Sequence, residues 1–185
     1  MEKSIPLWPV SGRVDAPWIP SPKKAILYAL NLARVQEGSY FADIGCGDGR
    51  AAIMASKYAK SISTCIEVRE ELCALSQANA EYNGVNDRFN VICSDARNIE
   101  YNHFDVVYIY MFPSFIAEIS KKLDEELKVG SKIVTLDFPI VGWIPILMKK
   151  FMDEGGIERA LFLYLIGISN PSSWRLADFN GYPKF

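Results

Sequence analysis

The chain of 185 residues has a single histidine, His103, and no two of its four cysteines stand at C-x-x-C spacing. That excludes the common zinc clusters and a thioredoxin-like couple, so no metal site is expected. Cys46, Cys65, Cys73 and Cys93 are read as small buried apolar side chains in a reducing compartment. Long apolar runs are also missing. The longest, such as Ala160 to Ile166, fall far short of the roughly 20 residues a helix needs to span a membrane, and no basic-then-apolar leader opens the chain. A soluble, cytoplasmic protein without a membrane span is expected. Nor is there an excess of charge: 20 Lys and Arg stand against 22 Asp and Glu, a net charge of −2. This argues against a surface that gathers nucleic acid as a whole.

What is present reads as one globular domain over residues 1–185. Half of the residues are hydrophobic and 23% are charged, a composition that folds rather than stays disordered. A chain of this length buries roughly 70% of its unfolded surface and needs no covalent staple. We expect a monomer. Residues 1–20 carry Pro6, Pro9, Pro17 and Pro20 with Trp8 and Trp18. Proline fixes φ and removes donors, so an extended arm is predicted. Ser21 followed by Pro22 reads as an N-cap with proline at the first helical position. Ala25, Ile26, Ala29, Leu30 and Ala33 then keep one apolar face until Gly38.

From there strands and helices alternate. Strands are predicted over 40–44, 62–68, 89–93, 104–110 and 132–138. Helices are predicted over 51–58 and 70–82 and from Pro113 to about Leu127. Near-continuous apolar strands between amphipathic helices imply a parallel sheet covered on both faces. The rhythm changes after Pro139: apolar segments 146–152 and 157–168 flank Asp153-Glu154-Gly155-Gly156, which predicts an antiparallel hairpin closing one edge. Residues 169–185 read as a surface tail.

The chemistry sits in Asp43-Ile44-Gly45-Cys46-Gly47-Asp48-Gly49, after the first strand and before a helix. Glycines allow close approach of backbone to a ligand, although such a turn is at times only a tight turn. The spacing G-x-G-x-G differs from the G-x-G-x-x-G of dinucleotide folds. Asp43 and Asp48 would repel a pyrophosphate and suit a ligand with an ammonium or sulfonium. Glu67 ends the second strand 20 residues after Gly47, where a carboxylate accepts from ribose hydroxyls. Asp95 ends the third strand, near an adenine edge. Three acids at successive strand ends mark the place where open α/β sheets bind ligands.

These residues, with the turn Ser94-Asp95-Ala96, resemble the seven-stranded S-adenosylmethionine-dependent methyltransferases over roughly residues 21–168. The resemblance implies an α/β, Rossmann-like sheet, mostly parallel with a C-terminal antiparallel hairpin. It also implies S-adenosyl-L-methionine as cofactor, held by Asp43, Gly45, Gly47, Asp48, Glu67, Asp95 and Ala96. Because a sulfonium leaves readily, such catalysis needs no metal. Pro17-Trp18-Ile19-Pro20-Ser21-Pro22, Lys122-Leu123 to Leu127, and Phe138-Pro139-x-x-Gly142-Trp143-x-Pro145 are similar to archaeal broad-specificity protein-lysine methyltransferases. They are similar also to mitochondrial relatives that methylate a rotor-ring lysine of ATP synthase. That implies protein substrates with exposed lysines. Trp18 departs from the usual tyrosine there, and Tyr110-Met111-Phe112-Pro113-Ser114 lies in a segment that varies among them.

Other acceptors lack their signatures. There is no Asn/Asp-Pro-Pro-aromatic run after the fourth strand for adenine, and neither Cys46 nor Cys93 is placed as a nucleophile for cytosine. A small-molecule methyltransferase and a non-catalytic cofactor-binding scaffold subunit remain as alternatives. Trp18, Tyr108, Tyr110, Phe112 and Trp143 are the candidates to line the acceptor channel. His103 reads as a residue of a surface turn.

Overall fold

A computed structural model describes residues 18–172. The predicted alternation is there as α1 (Lys23–Leu32), β1 (Tyr40–Ile44), α2 (Arg50–Ala59), β2 (Ile62–Glu67), α3 (Glu70–Tyr82), β3 (Phe89–Cys93), β4 (Val106–Ile109), α4 (Pro113–Glu126), β5 (Lys132–Leu136), β6 (Leu147–Met152) and β7 (Glu158–Leu165). A 3-10 turn, Ala96–Asn98, adds to the predicted elements. The strands form one sheet in the order β3-β2-β1-β4-β5-β7-β6. Pairs from β3 through β5 are parallel, and β7 runs against both β5 and β6. Six strands therefore share a direction and only β7 opposes it, as the hairpin prediction requires.

The period of two along each strand sorts the core into two layers. Val106 and Tyr108 of β4 join Ile26 and Ala29 of α1 and Ala52 and Ile53 of α2 on one face. Val107 and Ile109 join Ile116, Ile119 and Leu123 of α4 on the other. The chain runs outward from β1 to β3 and then returns to β4 on the other side of β1. The carboxyl ends of β1 and β4 are thus the switch point of the sheet, where a crevice forms.

Two expectations are corrected. The cysteines are not separate thiols: Cys46 pairs with Cys65, and Cys73 with Cys93, as disulfides. Their Cα separations of 5.3 and 5.8 Å lie within disulfide range. Partners 19 and 20 residues apart have no local spacing signal, because only the register of β1, β2 and β3 makes them neighbours. Such bonds persist in oxidising surroundings and also inside hyperthermophiles, so the inference of a reducing compartment loses its basis.

The start of α1 also differs. Pro22 occupies the cap position with an extended backbone and no side-chain cap. The amides of Lys23 and Lys24 bond instead to the Glu154 carboxylate at 2.7 and 3.3 Å. A distant carboxylate satisfies these orphan donors and adds charge that complements the helix N-terminus. Ser21 is thereby released, and its hydroxyl accepts from Tyr108 at 3.1 Å.

His103 lies exposed on the turn before β4, stacked on Phe104 with ring centroids 3.9 Å apart. Among the described residues, no helix is long and apolar enough to cross a membrane, and no three His, Cys, Asp or Glu residues gather as a metal site. The proposed arm before Trp18 and the tail beyond Ser172 lie outside the described residues.

Candidate cofactor and acceptor site

The amides of the glycine loop, expected to face a ligand, turn inward. Gly45 and Cys46 both donate to the Ile66 carbonyl, at 2.9 and 3.2 Å, and Gly49 donates to Cys46. Gly47 donates to Glu67 Oε2 at 3.0 Å. A phosphate cradle needs free N–H groups, and these are spent within the fold.

Beneath the loop lies a buried acid. Asp43 is 3% exposed, and its pKa is pushed up to about 8, mainly by burial, then by Asp48, with the Ala52 amide opposing and Glu67 adding a little. Asp48 is already satisfied by Arg50, which grips it at 2.6 and 2.9 Å. A buried carboxyl with two acidic neighbours suits a ligand that brings a positive centre. This fits the ammonium and sulfonium of S-adenosylmethionine and not a pyrophosphate.

Glu67 is buried and holds the loop to the end of β2. Oε1 accepts from Val68 and Arg69 at 2.9 and 3.0 Å, and Oε2 accepts from Gly47. A carboxylate offers about four lone-pair sites, so one on Oε2 is left for a hydroxyl. Asp95 caps the 3-10 turn through the Arg97 amide at 2.9 Å, and Ala96 is buried beside it.

Two side chains cover the loop. A Cβ added at Gly47, where φ is +57°, would stand 2.2 Å from Trp18 Nε1, and one at Gly45 would stand 2.6 Å from Met111 Sδ. The crevice bounded by Trp18 to Ser21, Asp43, Gly45, Asp48, Ala51 and Tyr110 keeps only about 20 Å³ free, room for about one water. A ligand that reaches the loop displaces the Trp18 indole and the Met111 thioether.

The aromatic candidates separate. Trp18 and Tyr110 line the crevice. Tyr108 is fully buried beside Asp43 in the β1–β4 register, its hydroxyl taken by Ser21. Phe112 is exposed at the head of α4. Trp143 packs edge-on against Tyr164, with centroids 5.9 Å apart, in the core on the opposite face.

Sequence reasoning missed a polar cluster beside Tyr110. Arg159 of β7 donates through Nη1 to Asp137 at 2.6 Å and to the Tyr110 hydroxyl at 3.2 Å, and through Nε to Asp153 at 2.9 Å. Asp137 follows β5 and could have been found, since acids at strand carboxyl ends are candidates. Arg159 carried no signal, because it reaches the site only through the antiparallel return of β7.

A family model described as the ANTKMT methyltransferase domain matches residues 43–147. The chain belongs to that family. It is an S-adenosylmethionine-dependent methyltransferase. This methyltransferase is 30% identical over 152 residues to a protein-lysine N-methyltransferase of Saccharolobus islandicus (strain REY15A), covering 82% of this chain and 94% of that protein. To the adenine nucleotide translocase lysine N-methyltransferase of Mus musculus it is 25% identical, over 72% of this chain and 58% of that protein. It spans less than two thirds of the mouse protein. Among solved structures, it is similar to an RNA methyltransferase from Salinibacter ruber in complex with S-adenosyl-L-homocysteine. The TM-score is 0.74 at 28% identity, covering 80% of this chain and 94% of that one.

Proposed function

We propose that this methyltransferase transfers methyl groups to the ε-amines of protein lysines, and that it serves many exposed lysines rather than one. The observation that carries the reading is the match to the archaeal protein-lysine N-methyltransferase over 94% of that protein's length. The site is compatible with it. Bound S-adenosylmethionine supplies an activated methyl group on a sulfonium. Asp43 would hold the ammonium of its methionine part, the free lone pair on Glu67 Oε2 would accept from a ribose hydroxyl, and Asp95 with Ala96 would flank the adenine. Trp18 and Tyr110, which line the crevice, would wall the approach for the acceptor.

A lysine ammonium has an unperturbed pKa of about 10.4 and must lose a proton before it attacks. Burial of the amine between Trp18 and Tyr110 would lower that value by desolvation, and an aromatic wall tolerates the methylated cation that forms. Turnover should therefore rise between about pH 7 and 9. Positioning of amine and methyl in line supplies most of the rate.

The test is incubation of the protein with labelled S-adenosylmethionine and a mixture of proteins, RNA and metabolites, followed by mass spectrometry. Methyl groups on lysines of several proteins support the reading. Methyl groups confined to RNA, to small metabolites or to other protein side chains overturn it, as does the absence of any transfer.

A further inference from the structure

The polar cluster around Arg159 sits at the carboxyl ends of β4 and β5, next to the crevice yet outside the glycine loop. Arg159 Nη1 lies 3.2 Å from the Tyr110 oxygen and 2.6 Å from Asp137 Oδ2, so one nitrogen holds both oxygens. Asp137 is locked in turn. Its amide donates to Ala160 O at 2.7 Å, and its Oδ1 accepts from the Ala160 amide at 3.3 Å. It also has φ +64°, a left-handed backbone that side chains other than Gly, Asn and Asp rarely accept. Strain of this kind persists where surrounding bonds over-determine it, and it gathers at functional sites.

The consequence falls on the Tyr110 hydroxyl. A phenol has one proton and two lone pairs. One lone pair takes the Arg159 N–H. Asp137 Oδ2, which shares the Arg159 nitrogen, is available to the proton, and Asp137 raises the Tyr110 pKa, after burial and against the pull of Arg159. What remains is one lone pair, on a side chain that lines the crevice with Asp43 and Gly45.

We propose that Tyr110 is a catalytic residue whose oxygen accepts an N–H of the acceptor amine, and that Asp137 and Arg159 are positioning residues that fix this hydroxyl as an acceptor only. The assignment rests on the lysine reading above. A neutral amine that donates one N–H to Tyr110 turns its lone pair away from that bond and toward the methyl group. The amine nitrogen forms the new bond to carbon, the carbon–sulfur bond breaks with its electrons staying on sulfur, and the surplus amine proton leaves to solvent. An acceptor with no hydrogen to donate, such as a carboxylate, gains nothing from this oxygen.

The experiment uses the full chain with a peptide that carries one lysine, and with the same peptide carrying norleucine. Tyr110→Phe, Arg159→Gln, Arg159→Lys, Asp137→Asn and the double variant Tyr110→Phe/Arg159→Gln are compared. Asparagine tolerates the left-handed backbone, so D137N keeps the fold. Binding of each peptide is measured by calorimetry in S-adenosylhomocysteine, and kcat and KM are measured separately. We expect Y110F to lower kcat about 30-fold and lysine-peptide affinity about 5-fold, with norleucine-peptide affinity and S-adenosylhomocysteine affinity unchanged. R159Q should cost about 10-fold in kcat in the native background and less than 2-fold once Tyr110 is Phe, and R159K should recover part of the loss. Additive losses in the double variant, or equal losses with both peptides, overturn the proposal while leaving lysine methylation by the native chain intact. If the native chain leaves the lysine peptide unmethylated and methylates no protein lysine, the lysine reading itself fails.

Discussion

The two halves of the crevice are built by different means. On the side of β1, β2 and β3 the work is done by backbone: tight turns at Gly45, Gly47 and Gly49, amides folded inward onto Ile66 and Glu67, and two disulfides that tie the loop and α3 to the strands beside them. On the side of β4, β5 and β7 it is done by side chains. Arg159 gathers Tyr110, Asp137 and Asp153 from three separate segments. A backbone site is rigid and holds a ligand whose shape never varies. A side-chain site adjusts with modest substitutions, which suits the half where the proposed acceptor would enter. Substitutions on the first side should therefore cost stability and cofactor binding together. Those on the second should cost turnover with little loss of cofactor.

The sharpest break of that comparison is Glu67→Ala. Three amides, those of Gly47, Val68 and Arg69, lose their acceptor, and each orphaned donor costs about 1–3 kcal/mol where it is buried. The variant should lose roughly 3–5 kcal/mol in chemical denaturation and bind S-adenosylhomocysteine at least 100-fold more weakly in calorimetry. A variant as stable as the native chain would show that the loop does not hang on this carboxylate. The disulfides come next. Closing loops of 19 and 20 residues stabilises by about 3 kcal/mol each in the chain-entropy model. A reducing agent should lower the melting temperature, and Cys73→Ala with Cys93→Ala should do so without reductant. Melting curves that ignore both treatments would remove the covalent part of the contrast.

The same contrast explains what the sequence disclosed. Periodicity and glycine placement are local signals, so β1 through β5, their helices, the hairpin and the standing of Asp43, Glu67 and Asp95 at strand carboxyl ends are legible in the chain itself. Contacts created by topology are not. Cys46 and Cys65 meet because β1 and β2 pair in register, and Arg159 meets Asp137 because β7 lies antiparallel against β5. Trp143 groups with Tyr110 in the sequence because both lie near strand ends, yet the two fall on opposite faces of the sheet. Which face a loop residue takes is decided by the turn before it, and the positive φ of Asp137 is not readable from the letters Asp-Phe-Pro.

Asp43 tests the electrostatic side of the loop half. Its carboxyl pKa is raised from 3.8 to about 8 in the fold, so the folded chain binds a proton that the unfolded chain has released. Stability linked to this group is present below about pH 4 and is lost as pH climbs toward 8. Between about pH 5 and 7 the loss is roughly 2–3 kcal/mol, at about 1.36 kcal/mol per unit. Asp43→Asn should flatten that slope in denaturation series. Binding of S-adenosylmethionine near pH 7 should release close to one proton, since its ammonium favours the ionised carboxyl, and calorimetry in buffers of different ionisation enthalpy reads the proton directly. Equal proton release by the Asn variant would place the titrating group elsewhere.

The smallest effect lies where the two halves touch. Glu154, in the turn between β6 and β7, takes the amides of Lys23 and Lys24 at the head of α1, and its carboxyl is held below its usual pKa, chiefly by backbone N–H groups. Its neighbour Asp153 is bonded to Arg159, and the residues just before α1, Trp18 to Ser21, line the crevice above the glycine loop. One turn thus connects the Arg159 cluster to the segment that covers the glycine loop. Replacing a capping group typically costs about 1 kcal/mol, and Glu154→Gln keeps the shape while giving up the charge that complements the helix N-terminus. The melting temperature should fall by about 2–4 °C, and cofactor affinity should change by less than 2-fold. Glu154→Ala should roughly double the first effect. If either variant instead weakened cofactor binding 10-fold at equal fold stability, the turn would be steering the Trp18 segment, and the division of the crevice into independent halves would have to be given up.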